Sequence, residues 1–202
     1  MGKGEVTRQA ILGHAVMLAS RIGLEAMTIG RLADEMELSK SGLYAHFQSK
    51  EALLLQTLEY AGGRFIDVVV KPALGAPRGE PRVRAVFERW IEWPLVEPLS
   101  GCFFVAAATE LDDRPGPVRD RLVSMQRDWL EVLSNTVRTA VREGDFREGV
   151  DPDQFAHDMY GVMLAYHHAS RLLADPKAGA RARRAFEALI VAARSPRAIA
   201  DS

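Results

Sequence analysis

Apolar residues recur along this chain at helical spacing, with almost no strand-like alternation between turn residues. From about Val6 to Ile22, Ile11, Ala15, Leu18, Ala19 and Ile22 share one face. Gly23 follows as a left-handed stop, with Leu24 placed to fold back onto the helix end. Thr28 is placed to cap a short second helix reaching Met36. Glu37-Leu38-Ser39 then makes a tight turn, and Ser39 can cap a third helix from Lys40 to Phe47. Ser49 can cap a fourth, long helix running from Lys50 towards Lys71. The run Ile66-Asp67-Val68-Val69-Val70 has β-prone residues but continues the helical pattern, so helix is expected there too.

The stretch from Pro72 to Pro81 holds three prolines and two glycines and reads as the clearest loop. It divides an expected domain over residues 1–50 from one over 72–202, with the helix at 50–71 as connector. Beyond it, a helix is expected from Pro81 to just before Pro94, and another from roughly Gly101 to Leu111. Asp112-Asp113-Arg114-Pro115-Gly116-Pro117 breaks the pattern, and Pro117 suits the first turn of a long helix to Glu143. Val118, Leu122, Met125, Trp129, Leu133, Val137 and Val141 give that helix its apolar face, and Gly144 ends it. Asp151-Pro152-Asp153-Gln154 reads as a capping box opening a helix to about Ala174. After Asp175-Pro176 a last helix ends near Arg194. The fold class is therefore all-α, with about nine helices.

The two shortest helices carry the functional signal. Ile29, Leu32, Ala33 and Met36 form the inner face of one, and Leu38, Leu43 and Phe47 can pack from the other. Helices this short are not stable alone and need the first and fourth as a platform. Two short helices joined by a three-residue turn make a helix-turn-helix, whose second helix lays its N-terminal end against base edges in the major groove. Lys40, Ser41, Gly42, Tyr44, Ala45 and His46 would face outwards. Lysine and serine donate to base edges or phosphates. Gly42 costs a helix roughly 1 kcal/mol relative to alanine, which fits a backbone that must approach a partner closely. Tyr44 and His46 can reach phosphates. Lys50 stands where the free N–H groups of the fourth helix attract an anion. On spacing alone, an ordinary capped surface fits these residues as well as DNA binding does.

Charge changes the picture little. The 202 residues are 48% hydrophobic and 26% charged, with a net charge of −1, so any grip on nucleic acid must be local. Residues 1–50 carry six Lys/Arg against five Asp/Glu, a net of +1. Dimerisation would double the phosphate contacts. The single cysteine, Cys102, excludes an internal disulfide and a Cys-rich zinc site. It suits a buried small hydrophobe better than a redox-sensing thiol. The chain starts without the apolar core of a signal peptide and has no 18-residue apolar run, so a cytoplasmic protein is expected. No Glu has a His three positions on, and no P-loop, dinucleotide glycine fingerprint or Gly-x-Ser-x-Gly elbow is present. No enzyme, cofactor or metal is expected.

The series Thr28-Ile29-Gly30-Arg31-Leu32-Ala33-Asp34-Glu35-Met36, Leu38-Ser39-Lys40-Ser41-Gly42-Leu43-Tyr44-Ala45-His46-Phe47 and Ser49-Lys50-Glu51-Ala52-Leu53-Leu54 resembles the DNA-binding domain of the TetR (tetracycline-repressor-like) family. The resemblance covers residues 6 to about 55 and spans three helices at fixed spacing. It implies a homodimer that binds a palindromic DNA operator and usually represses. It places Lys40, Ser41 and Gly42 against bases and Tyr44 and His46 against phosphates. Lys50 grips a phosphate, Thr28 lies beside one, and Ser39 heads the reading helix.

The last two helices, about 152–174 and 177–194, are apolar on more than one face. Met159, Gly161, Val162, Ala165, Ala169, Phe186, Leu189 and Ile190 are the candidates for the four-helix dimer interface that the family implies; plain core is the alternative. Phe65, Trp90, Trp93, Phe103, Phe104, Met125, Trp129, Met163 and Tyr166, with Glu110 and His167 as polar groups, are core or the lining of an effector cavity. The family implies a small, largely hydrophobic effector that changes the separation of the two DNA-reading heads. The competing reading is a helical interaction module that binds no DNA.

Overall fold

The computed structural model describes residues 3–96 and 102–196. Its helices, in order, are α1 (Lys3–Ile22), α2 (Ile29–Glu35), α3 (Lys40–Phe47), α4 (Lys50–Phe65), a π-helical turn (Ile66–Val70), α5 (Lys71–Leu74), α6 (Glu80–Val96), α7 (Phe103–Leu111), α8 (Pro117–Glu143), α9 (Pro152–Arg171) and α10 (Ala178–Ala193). Counting α4, the π turn and α5 as one continuous rod gives nine helices among the described residues. No strand is present among them, only an isolated bridge between Phe146 and Arg194. The all-α class expected from the pattern is what the chain adopts.

Several of the expected stops and starts are built as read. Gly23 takes φ +91° and its N–H donates to the Ala19 carbonyl at 2.9 Å, with Leu24 buried behind it. Gly144, at φ +85°, ends α8. Asp151 caps α9 by accepting from the N–H groups of Asp153 and Gln154. The return arm of a capping box is missing, because Gln154 donates to Asp158 at 2.8 Å instead. Three boundaries differ from expectation. Pro72 enters α5 in its first turn, so the loop shrinks to the residues between Leu74 and Glu80. Pro94 lies inside α6 rather than beyond it; the turn before it is anchored by the buried Trp90, Ile91 and Trp93. α7 starts at Phe103, with Cys102 at its cap position.

The chain divides into two compact units, Met1–Phe65 with Pro94–Met125 and Ile66–Trp93 with Gln126–Ser202. The units cross the linear division at residues 50 and 72. In the first, α1 packs along α4, and α2 and α3 fill the space beside them. Its core holds Ile11, Leu18, Leu32, Leu43, Phe47, Leu53 and Leu58 together with Phe103, Ala107, Leu111, Val118 and Leu122. α7 and the start of α8 are thus part of the platform under the helix-turn-helix. In the second unit α9 packs along α10. Phe186 stacks on Phe87 at 4.0 Å with an interplanar angle of 5°. Glu80 bridges Arg84 and Arg194, and Arg84 reaches on to Glu187.

Candidate nucleic-acid interface

α2 and α3 are positioned by side-chain caps at their heads and apolar anchors beneath. Thr28 is extended (φ −131°, ψ 158°) and its Oγ1 accepts from the Arg31 N–H at 3.1 Å. Ser39 is extended too, and its Oγ accepts from the Gly42 N–H at 3.2 Å. A Cβ at Gly42 would come within 3.0 Å of that hydroxyl. A larger residue there would make the Ser39 hydroxyl shift slightly, and the glycine also suits close approach by a partner. Glu37, at φ +54°, turns the chain between the helices, and the Leu38 N–H closes back on the Ala33 carbonyl at 2.9 Å. Gln48, at φ +62°, ends α3. Ser49 then caps α4 by accepting from the Ala52 N–H at 3.1 Å.

Leu43 and Phe47, each 1% exposed, anchor α3. Thr28, Ser39, Lys40, Ser41, Gly42, Tyr44 and Lys50 are all exposed, and His46 is half-buried with its ring tilted against Phe47. All of the expected DNA-reading positions except His46 are thus solvent-exposed. Leu38 differs from expectation: it is 42% exposed, because the left-handed Glu37 swings it away from the core.

The cations are sorted in a way no count could show. Arg8 donates to Gln56, Arg21 to Glu35 at 2.9 Å, and Lys50 Nζ to the Glu25 carbonyl at 2.6 Å. Arg31 is exposed, and its side chain has no partner among the described residues. Lys40 is likewise unpaired there, its stem lying over Gly30. Arg31 and Lys40 thus remain available to an anion on α2 and at the head of α3, in a unit whose Asp and Glu residues outnumber its Lys and Arg.

The remaining candidates divide between the units. In the first, Phe104 meets Phe65 at 5.6 Å and Phe103 at 5.3 Å, both edge-on, and Met125 is half-buried. Glu110 is not a pocket group. Its carboxylate accepts from the backbone N–H groups of Leu24 at 3.1 Å and Glu25 at 2.9 Å, so it braces the α1–α2 loop. In the second unit Trp93, Trp129 and Met163 are buried, and Trp90 meets Tyr166 edge-on at 6.3 Å. The His167 Nε2 is buried without a hydrogen bond among the described residues. Burial, with Arg171 and His168 nearby, holds its pKa below the ordinary histidine value.

Of the dimer candidates, Met159, Phe186 and Ile190 are corrected to core. They are 0%, 3% and 0% exposed inside their own unit and present nothing to a partner. Val162, Ala169 and Leu189 are half-buried, and Gly161 and Ala165 are exposed. On α9, α10 and the turn between them the large apolar side chains left uncovered are Leu164, Leu172, Leu173 and Val191; Ile66, Leu74 and Leu130 are exposed elsewhere in the unit. Sequence reasoning missed these four, although Gly161, Leu164, Ala165, His168 and Leu172 recur at helical spacing on the face opposite Met159 and Met163.

No helix of the described residues is long and apolar enough to cross a membrane, and no group of three or more His, Cys, Asp or Glu could hold a metal ion there. The Cys102 thiol is fully buried, which pushes its pKa up to about 11.

Residues 11–57 match the family model for "Bacterial regulatory proteins, tetR family", and residues 79–186 match that for "Tetracyclin repressor-like, C-terminal domain". The chain is 28% identical over 174 residues to the HTH-type transcriptional repressor KstR2 of Mycobacterium tuberculosis, covering 82% of each. It is 42% identical over 53 residues to the uncharacterized HTH-type transcriptional regulator YerO of Bacillus subtilis, which is 26% of this chain and only 18% of that protein. A crystal structure of a TetR transcriptional regulator from Chloroflexus aurantiacus superposes with a TM-score of 0.83 at 26% identity, covering 95% of this chain and 96% of that one. Exposed caps and donors on α3, the helical architecture and matches over both halves converge: the chain belongs to the tetracycline-repressor-like family of DNA-binding transcriptional regulators.

Proposed function

We propose that two copies of this chain bind a palindromic operator, repress transcription from it, and release it when a small, largely hydrophobic effector binds the second unit. The observation that carries the reading is the α3 edge, with Lys40, Ser41 and Gly42 exposed above the buried Leu43 and Phe47. Short capped helices with donors at the leading edge suit the major groove, whose acceptor pattern distinguishes all base pairs. Lys50, Thr28, Tyr44 and His46 serve the phosphates on either side. The relative named as a repressor, KstR2, supports the direction of regulation. A cytoplasmic location follows from that role.

The second copy docks on the uncovered apolar face of α9 and α10, where Leu164, Leu172, Leu173 and Val191 stand exposed among small residues. Patches of this kind on a soluble chain mark interfaces. A dimer sets two reading helices against major grooves about 34–36 Å apart. The edge-on pair Trp90 and Tyr166, with Trp93 buried in the same unit and the His167 Nε2 buried without a hydrogen bond among the described residues, suits an apolar effector carrying one hydrogen-bonding group.

Selection of bound duplexes from a random DNA pool tests this reading. A palindromic consensus from a protein that sediments as a dimer is expected. An asymmetric consensus, no enrichment, or a stable monomer at micromolar concentration contradicts it.

A further inference from the structure

The α1–α2 loop presents a carboxylate to the phosphate-facing lysine. Glu25 Oε2 lies 3.6 Å from the Lys50 ammonium, and the Glu25 carbonyl accepts from the same Nζ at 2.6 Å. Arg114, in the α7–α8 loop, places Nη1 3.3 Å from the same Oε2. Glu25 therefore sits between two cations, one from the head of α4 and one from a segment 89 residues away in sequence.

Its position is fixed from α7. The two oxygens of Glu110 take the Leu24 and Glu25 N–H groups. Gly23 makes room for them: it has φ +91°, and a Cβ there would stand 2.8 Å from Glu110 Oε1. The loop backbone is thus pinned, which keeps the Glu25 carbonyl beside Lys50 and its carboxylate within reach of the ammonium.

A DNA phosphate that takes Lys50 must displace a carboxylate and then tolerate it as a like-charged neighbour. With Glu25 alone that exchange is opposed. With Arg114 already on Oε2, the carboxylate stays neutralised after Lys50 turns to the phosphate. We propose that Glu25 and Arg114 tune DNA binding through Lys50: the Glu25 carboxylate holds the Lys50 ammonium back at the head of α4, and Arg114, a positioning residue, offsets that carboxylate so that Lys50 can transfer to the backbone. The inference rests on the reading of Lys50 as a phosphate contact.

The test is a double-mutant cycle on the full chain. Binding to a random-sequence duplex and to a duplex selected from the pool is followed by fluorescence anisotropy over a range of salt concentrations. Arg114→Ala should weaken binding roughly threefold to tenfold, Glu25→Gln should tighten it about twofold to fivefold, and Arg114→Lys should keep the wild-type affinity. In the Glu25→Gln background, Arg114→Ala should have no effect, since no carboxylate charge remains to offset. A loss that persists in that background would show Arg114 touching DNA itself and would overturn the proposal. Equal affinity of Arg114→Ala and wild type would overturn it too. Lys50→Ala separates the premise from the inference. If that change leaves affinity and salt slope unaltered, the reading of Lys50 fails; if it lowers both while the cycle is flat, only the roles of Glu25 and Arg114 fail.

Discussion

Two helical surfaces of this protein expose groups of contrasting chemistry. On α3 the exposed groups are an ammonium, two hydroxyls and a phenol, from Lys40, Ser39, Ser41 and Tyr44. On α9, α10 and the turn after α9 large hydrocarbon side chains stand out among charged ones such as Arg171 and Arg184, with Leu172 73% exposed, Leu173 62% and Val191 56%. Donors at the edge of a thin helix suit a hydrated, acceptor-rich groove and cost little when left in water. Large apolar side chains in water cost about 25 cal/mol for each Å² left uncovered, so that face is built to be covered by protein. Under the proposed function, the difference separates what the first unit would offer to DNA from what the second would offer to another copy of the chain.

Core and surface on the same α9–α10 pair should respond differently to substitution. Phe186→Ala, which removes the ring stacked on Phe87, should lower unfolding stability by about 3–5 kcal/mol in a urea titration. A small loss would mean that Phe186 is a surface residue after all. Leu172→Glu combined with Leu173→Glu should leave the helical content intact but turn the dimer into a monomer on sedimentation. Operator affinity should then fall at least about tenfold, because half of the phosphate contacts are gone. A dimer that survives this change would place the interface elsewhere.

Smaller effects sharpen the account of the DNA-reading end. Ser39→Ala removes the cap of α3 and should lower stability by about 1 kcal/mol, with a weaker but otherwise unchanged operator preference. In the second unit, the hydrogen bond from Arg194, and then Arg84, holds the Glu80 carboxyl below its ordinary value of 4.5. The stability this adds is complete above about pH 4.5 and is lost as the pH falls through the lower value in the folded state. Glu80→Gln should therefore flatten the acid side of a stability–pH curve. Least affected should be Cys102: its thiol, buried and protonated, should react with a thiol reagent in native protein only as fast as the protein opens.

Much of this was legible in the sequence because it is local. Thr28, Ser39 and Ser49 announce helix heads through side-chain chemistry that acts within three residues, and Gly23 announces a stop in the same way. The outward set from Lys40 to His46 follows once Leu43 and Phe47 are taken inward. What sequence could not supply was the partner of each apolar stripe. Phe103, Ala107 and Leu111 repeat at a spacing of four, but nothing in that spacing says that they join the core under the reading helix. The same blindness put Met159, Phe186 and Ile190 on the dimer face. α9 and α10 are apolar on two sides, and periodicity alone cannot tell which side turns inward. The roles of Glu110 and Arg114 depend on contacts 85 or more residues apart in sequence, which no local signal carries.

The most direct measurement is selection of bound duplexes from one random pool by wild type, Lys40→Ala and Lys50→Ala. If the leading edge of α3 lies against base pairs, Lys40→Ala changes the preferred base at one position in each half of the consensus. Lys50→Ala should return the wild-type consensus with weaker binding and a salt slope lower by about 1 for each half-site. An unchanged consensus from Lys40→Ala, or a changed one from Lys50→Ala, would contradict the account.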